Sequence, residues 1–472
     1  MTPRDFADVV RARIGDKAVV TDPADLAPWL TDWRGRWHGA AAAILQPATT
    51  PEVATIVRMA RDAGVALVPQ GGNTSMVGGA TPPADGSALI LSTRRMNRIR
   101  AIEGDRAVAE AGVILATLHD AAIATEKRFP LTLGARGSCT IGGLSSTNAG
   151  GTQVLRFGTM RGLVDGIEAV LPDGSIHDGL AGLKKDNRGP SLDQLLIGAE
   201  GTLGVITAAR LKLVTLPSSR AVAWLGLASP AAALAVLRAL QARTDRVEGF
   251  EILPAESLAA AVAHVPGVRA PLAGEHRWHA LVELTAEEGD EPLDGLLAPL
   301  LVAGQIEDAT IAASEAQAEA FWRIRDSLSE AERAAFGPAT QHDISVPVEA
   351  MPRFLAEATV AVEAAFPGTH ASGFGHLGDG NIHFHVRAGE RATPGWIDDE
   401  GPAVVRLVDD LVTAAGGSIS AEHGIGQMKR EELARLSPAK VAAIRAGAWR
   451  TARGVVGGAR PRLRPALRRG RV

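Results

Sequence analysis

Three histidines crowd into the stretch "SGFGHLGDGNIHFHV", Ser372 to Val386: His376, His383 and His385. From Asn381 onward the residues alternate with period two. Successive side chains of a strand point to opposite faces, so Ile382, Phe384 and Val386 share one face and Asn381, His383 and His385 the other. Two imidazoles at i, i+2 on a strand face, with His376 on the preceding loop, make a concentrated set of nitrogen ligands for a metal or an active site. A single histidine here would read as a core residue satisfied by one hydrogen bond. The stretch also holds G-x-G-x-x-G at Gly373, Gly375 and Gly378, with Glu400 about 20 residues on, the spacing of a dinucleotide loop. That reading fails on context. Such a loop follows a strand and opens a helix, whereas Asp379-Gly380-Asn381 is a turn that leads into a strand. Further on, "SISAEHGIGQMKREEL" sets Glu422-His423 between a short strand and a helix, with Gly424 and Gly426 allowing a tight loop. Glu422 offers an oxygen for a His/His/carboxylate site suited to Zn²⁺, Mn²⁺ or Fe²⁺, and His423 offers a base. A helix-capping loop is the plain alternative for this stretch.

Three glycine-rich loops precede these residues: "PQGGNTSMVGGATP" (69–82), "LGARGSCTIGGLSSTNAGG" (133–151) and "IGAEGTLGVITAA" (197–209). Glycine lets backbone N–H groups approach a pyrophosphate, and the adjacent Ser, Thr and Asn add donors. Taken singly, each loop marks a turn. None carries Gly-Lys-Ser/Thr, which disfavours a P-loop nucleotidase. The elements that must hold these loops alternate helix and strand. Val53, Ile56, Val57 and Ala60 predict a helix over 51–63 ended by Gly64, then a strand over 65–68 with Pro69 opening a loop. A strand is expected over 107–113, a helix over 114–124, and a hairpin around Pro172-Asp173-Gly174. Pro217 and two serines mark a boundary before a second α/β region with a helix over 230–243 and a strand in "HRWHALVELT".

The whole chain bounds what this chemistry can serve. Its 472 residues are enough for two or three domains. The net charge of -4 predicts no general attraction to nucleic acid. One cysteine, Cys139, excludes an intrachain disulfide. The N-terminal segment reads as an amphipathic helix and not a signal peptide, and no run is apolar enough to span a membrane, so a cytoplasmic location is expected. Tyrosine is absent, so no phenol serves as acid, base or flavin attachment point. The tail from Ala446 is rich in arginine and has no acid, and reads as a solvated end.

Read together, "GGNTS", "GSCTIGG…NAGG", "EGTLGVIT", "GHLGDGNIH" and "EHGIG" resemble, in order, the motifs of the FAD-dependent oxidoreductases of the vanillyl-alcohol oxidase superfamily. More narrowly, the chain resembles the D-lactate dehydrogenase, D-2-hydroxyglutarate dehydrogenase and glycolate oxidase D-subunit group, over about residues 20 to 445. The resemblance implies an α+β fold: a two-lobed FAD-binding domain (1–217), an α/β substrate cap (218–412) and a C-terminal segment (413–472) returning to the flavin. It implies noncovalent FAD held by Pro69, Gly71, Gly72, Asn73, Thr74 and Ser75, by Gly137, Ser138, Thr140, Gly142 and Asn148, and by Glu200, Gly201, Gly204 and Ile206. His376, His383 and Glu422 would bind a divalent metal, Zn²⁺ first. His423 would be the base, and Arg325 and Ser329 would bind the substrate carboxylate. The implied reaction is oxidation of a D-2-hydroxy acid by hydride transfer to flavin. Electrons would pass on to an electron-transfer flavoprotein, a quinone or a cytochrome. The rival is a flavin-bearing subunit of a glycolate oxidase-type complex that needs partner proteins. The family also allows peripheral contact with the inner membrane and a homodimer.

Three positions depart from the family pattern. Gln341, a candidate substrate-binding residue in "QHDISVP", stands where a lysine is usual; losing that cation weakens binding of a carboxylate and puts D-2-hydroxyglutarate itself in doubt. His385 stands where asparagine is common, as a further ligand or donor to substrate. The tail lacks the usual Pro-Gly close, which points to a shifted reading frame near Ala446. Cys139 is the one candidate for covalent flavin attachment, and a small residue packed in a glycine turn is its expected role.

Overall fold

The computed structural model describes residues 1–442 and 444, apart from 288, 390–392 and 394. The expected tail lies outside the described residues. Among the described residues the strands form four sheets, of four, five, two and seven strands, with helices packed against them, an α+β arrangement. The first lobe carries a four-stranded sheet whose parallel pairs bring Ile44–Leu45 and Ala66–Gln70 against Ala88–Ser92. The helix Thr50–Ala63 packs on it through Val53, Ile56, Val57 and Ala60, all fully buried. Thr49 caps its start by accepting from the Glu52 N–H, and Gly64 ends it in the left-handed region at φ 68°. Pro69 does not open a loop. It lies inside the strand Ala66–Gln70, at the edge of its sheet, where a missing N–H breaks no ladder bond.

The second lobe is a five-stranded antiparallel sheet that includes Arg106–Glu110 and the hairpin Val164–Val170 and Ile176–Asp178. The helix Leu115–Ile123 follows the first of these, one residue inside each expected end. Past Pro217 the chain enters a seven-stranded antiparallel sheet. Helices cover both of its faces. Pro230–Gln241, Met351–Ala365 and Gly401–Ala414 pack on one, and Ala255–His264, Glu315–Asp326 and Leu328–Phe336 on the other. Ile382, Phe384 and Val386 are buried in the first of these cores, so His383 faces the second side, as the alternation requires.

One correction concerns the histidine hairpin. His376 is the last residue of the strand His370–His376 and not part of a loop; it pairs with Asn381 across the turn. The glycines of "SGFGH" suggested a loop. They sit instead in an interior strand, where the side chains of Ile382, Phe384 and Leu355 fill the space over Gly373.

Candidate active site

The strand Asn381–Arg387 lies between His370–His376 and Ala339–Ser345, and this register assembles the site. His376 ends one neighbour. Asp343, on the other, stands directly opposite His383. The segment after Gly417 then brings Glu422 and His423 onto the same face, because Asp343 Oδ2 accepts from the backbone N–H of both at 2.9 Å. One ligand atom from each of His376, His383 and Glu422 lies within 4.8 Å of the others, and Asp343, Glu422 and His423 form a second such group.

Glu251 supports this set from the strand Val247–Pro254. Its buried carboxylate accepts from His376 Nδ1 at 2.6 Å and from Arg325 Nε at 2.7 Å. With Nδ1 held as donor, Nε2 of His376 is left for a metal, the usual arrangement of a carboxylate behind a ligating imidazole. The donor set therefore fits a divalent ion. Arg325 Nη2 stands 2.9 Å from His376 Nε2 and 3.5 Å from His383 Nε2, so this guanidinium position and a bound cation compete for the same lone pairs. Arg325 Nη1 has no hydrogen bond among the described residues.

Burial and neighbouring charges set the charge states of these side chains. Burial raises Glu422 to about 7. It also opposes a charge on His376, but the Glu251 carboxylate overrides it and lifts that imidazole to about 9. Burial and the nearby Arg325 keep His383 neutral. Burial lowers His423 as well, with Asp343 opposing. Burial favours the neutral form of Asp343 too, but His423 and Lys429 more than offset it and the carboxylate stays ionised.

The glycine loops meet beside this cluster. A Cβ at Gly72 would collide with the Ser138 carbonyl oxygen, so only glycine lets the 69–82 and 133–151 loops approach this closely. Gly71 faces Thr140, whose hydroxyl caps the helix Ile141–Thr147, and Gly142 lies in that helix. The Glu200 N–H donates to the Ser146 carbonyl at 2.8 Å, and Gly201 abuts Pro69. Thr74 and Ser75 are half-buried, Gly137 is exposed, and Gly204 and Ile206 are buried at the start of the strand Val205–Lys212. This small-residue cradle, lined by backbone and hydroxyls, fits a dinucleotide. Three of the polar side chains expected to contact cofactor are used internally. Asn73 Nδ2 donates to the Thr31 carbonyl, Asn148 Oδ1 accepts from Thr159 and Arg161, and Glu200 accepts from the N–H groups of Ile425 and Gly426 at 2.8 and 2.7 Å. The segment after Gly417 is thus tied to the third of the glycine loops. Burial pushes the Cys139 thiol up to about 11, which keeps it protonated and unreactive.

Ser329 lies half-buried in the helix Leu328–Phe336, four residues beyond Arg325. His385 is not among the clustered ligands: its Nδ1 meets Glu332 at 2.6 Å. Gln341 accepts from Arg34 at 2.7 Å. Sequence reasoning missed Glu251, Asp343 and Arg34. Carboxylates in the otherwise apolar strand "VEGFEILP" were the available signal for Glu251, since an acid there is rarely buried without a partner.

Residues 41–179 match the family described as FAD binding domain, and residues 216–446 the FAD linked oxidases, C-terminal domain. The mitochondrial D-2-hydroxyglutarate dehydrogenase of Bos taurus is 37% identical, over 90% of this chain and 77% of its own. The D-2-hydroxyglutarate dehydrogenase of Xanthomonas citri is 36% identical, over 88% and 87%. The chain belongs to this family of FAD-dependent oxidoreductases acting on CH–OH donors. Its fold is that of p-cresol methylhydroxylase, matched at a TM-score of 0.68 over 94% of both chains with 16% identity. An alkyldihydroxyacetonephosphate synthase matches at 0.68 over 93% of this chain and 85% of that one, with 15% identity. Among the described residues no helix is long and apolar enough to cross a membrane.

Proposed function

We propose that this flavoprotein oxidises a D-2-hydroxy acid to the 2-oxo acid with the help of a divalent metal. The observation that carries the reading is the convergence of His376, His383, Glu422 and Arg325 beside a segment tied to the cofactor loops. When bound, FAD supplies the acceptor for a hydride from C2, and a divalent ion supplies Lewis acidity at the substrate hydroxyl.

The chain's own residues do the rest. Arg325, with Nη1 free, orients the substrate carboxylate through its planar fork. Ser329, half-buried on the next helix, is the hydroxyl we assign to the same carboxylate. His423, whose pKa burial lowers, is neutral near pH 7 and able to accept the hydroxyl proton. Asp343 holds the His423 loop by two backbone N–H groups and lies 3.5 Å from its Nδ1, so it orients the ring and stabilises the imidazolium once it forms.

The test is anaerobic bleaching of the yellow holoenzyme by matched D- and L-2-hydroxy acids, before and after chelation. A D-acid should bleach it, its L-enantiomer should not, and chelation should abolish the change. Flavin that no D-2-hydroxy acid reduces would overturn the reading.

A further inference from the structure

Two carboxylates hold N–H groups of the loop that carries Glu422 and His423. Asp343 takes those of Glu422 and His423, and Glu200 those of Ile425 and Gly426. One cation holds its ends. Lys429 Nζ donates to the Ile419 carbonyl at 2.6 Å and to the Asp343 carbonyl at 3.3 Å. Ile419 stands just before the loop, and Lys429 just after it, at the start of the helix Arg430–Leu436. The ammonium therefore closes residues 420–428 into a ring. Inside the ring, Ser420 Oγ donates to the Gly424 carbonyl at 2.7 Å. The Asp343 carbonyl also accepts from the Ala421 N–H, at 3.4 Å. The loop thus leaves from Asp343 and returns to it.

The choice of anchor gives this ring its use. Asp343 is paired with His383 in the register of the sheet. Any shift of the ring against Asp343 is therefore a shift of Glu422 and His423 against His383. Lys429 has no ion pair among the described residues. It is half-buried by area, yet the protein around its ammonium end pulls its pKa down, with Asp343 opposing. A desolvated ammonium bonded only to carbonyls costs free energy that an apolar side chain of the same length would not. What it adds is a pair of aimed, charge-assisted bonds, which packing alone does not supply.

We propose that Lys429 is a positioning residue for the oxidation: by joining the Ile419 and Asp343 carbonyls, it sets where Glu422 and His423 stand relative to His376 and His383. It acts through the loop and not on the substrate. A neutral side chain of similar length fills the same space but leaves the Ile419 carbonyl without this donor, and the ring opens. The inference rests on the metal-assisted hydroxy-acid reading above.

The test compares wild-type holoenzyme with Lys429→Met and Lys429→Arg at equal flavin content. Each is reduced anaerobically, at saturating Zn²⁺, by the D-2-hydroxy acid that bleaches the wild type. Lys429→Met should slow the limiting rate of flavin reduction about 10²-fold, the scale of a reacting group displaced by about 1 Å. Half-saturation by the acid should move far less, since Arg325 lies on the separate helix Glu315–Asp326. In chelator competition the same variant should hold Zn²⁺ about 10- to 100-fold more weakly. Lys429→Arg, which keeps charged donors, should recover part of both losses. A lysine that only stabilises the fold would lower the melting temperature and flavin content, while the surviving holoenzyme reacts at the wild-type rate. That result overturns the proposal, as does a loss confined to half-saturation, or equal losses in the two variants. If Lys429→Met does not retain flavin, Lys429→Gln takes its place under the same criteria. If no D-2-hydroxy acid reduces the wild-type flavin, the reaction reading falls and Zn²⁺ affinity alone judges the loop. Lys429→Met that then matches the wild type overturns the positioning role, and a wild type that binds no Zn²⁺ overturns both.

Discussion

Glu251 orients two groups with one carboxylate, fixing the His376 ring through one oxygen and the Arg325 fork through the other. Its replacement by glutamine keeps the shape and removes the charge. Glu251→Gln should weaken metal binding about 10- to 100-fold in a chelator competition, the usual loss when such a supporting carboxylate is removed. His423→Ala should slow anaerobic flavin reduction by about 10²- to 10⁴-fold, the contribution of a positioned base, while the protein stays yellow. The clustered side chains were legible because histidine is rare and here is bunched. Their supports were not. Glu251 and Arg34 meet His376 and Gln341 across 125 and 307 residues of chain, and no local pattern announces such a meeting.

At the scale of elements, periodicity carried the helix Thr50–Ala63 and the strand Asn381–Arg387, since apolar residues there mark one buried face. It misplaced His376, because glycine is read as a loop residue until the neighbour that fills its space is known. Gly426 shows the same dependence. It sits at φ 49°, and a Cβ there would run into the Val77 carbonyl oxygen of the first glycine loop. Gly426→Ala should therefore lift the returning segment and lower activity more than it lowers flavin content, both read on the purified protein. The strand Trp278–Ala286 makes a different prediction. Burial lowers His279 to about 4, and its Nδ1 accepts from Trp224 Nε1 at 3.2 Å. The unfolded chain takes up this proton near pH 6.5 and the folded chain resists it. Stability is thus intact above about 6.5 and is lost as pH falls toward 4, by up to about 3 kcal/mol. His279→Gln, which keeps an acceptor for Trp224, should flatten that slope in denaturant titrations across this window.

At the scale of the molecule, the cap is pinned to the second lobe by Glu248, whose fully buried carboxylate meets Arg128 and Arg156. Removing one member of a buried ion pair costs about 3–5 kcal/mol, because the partners stay desolvated and unpaired. Glu248→Gln should lower the melting temperature and expose the cap to limited proteolysis. Glu248 and Glu251 lie on one strand, so the joint that docks the cap also positions the His376 support.

The bond from Glu200 to the N–H groups of Ile425 and Gly426 has a thermodynamic consequence. The loop that offers Glu422 can settle only where the cofactor loops already stand, and it steadies them in return. Two ligands that order the same joint share its entropy, so each makes room for the other. Whatever factor the metal adds to flavin affinity, flavin must add to metal affinity. Titrating FAD into metal-loaded and metal-stripped apoprotein gives one side of that equality, and titrating metal with and without FAD gives the other. Cutting the joint with Glu200→Gln should bring both factors toward one together.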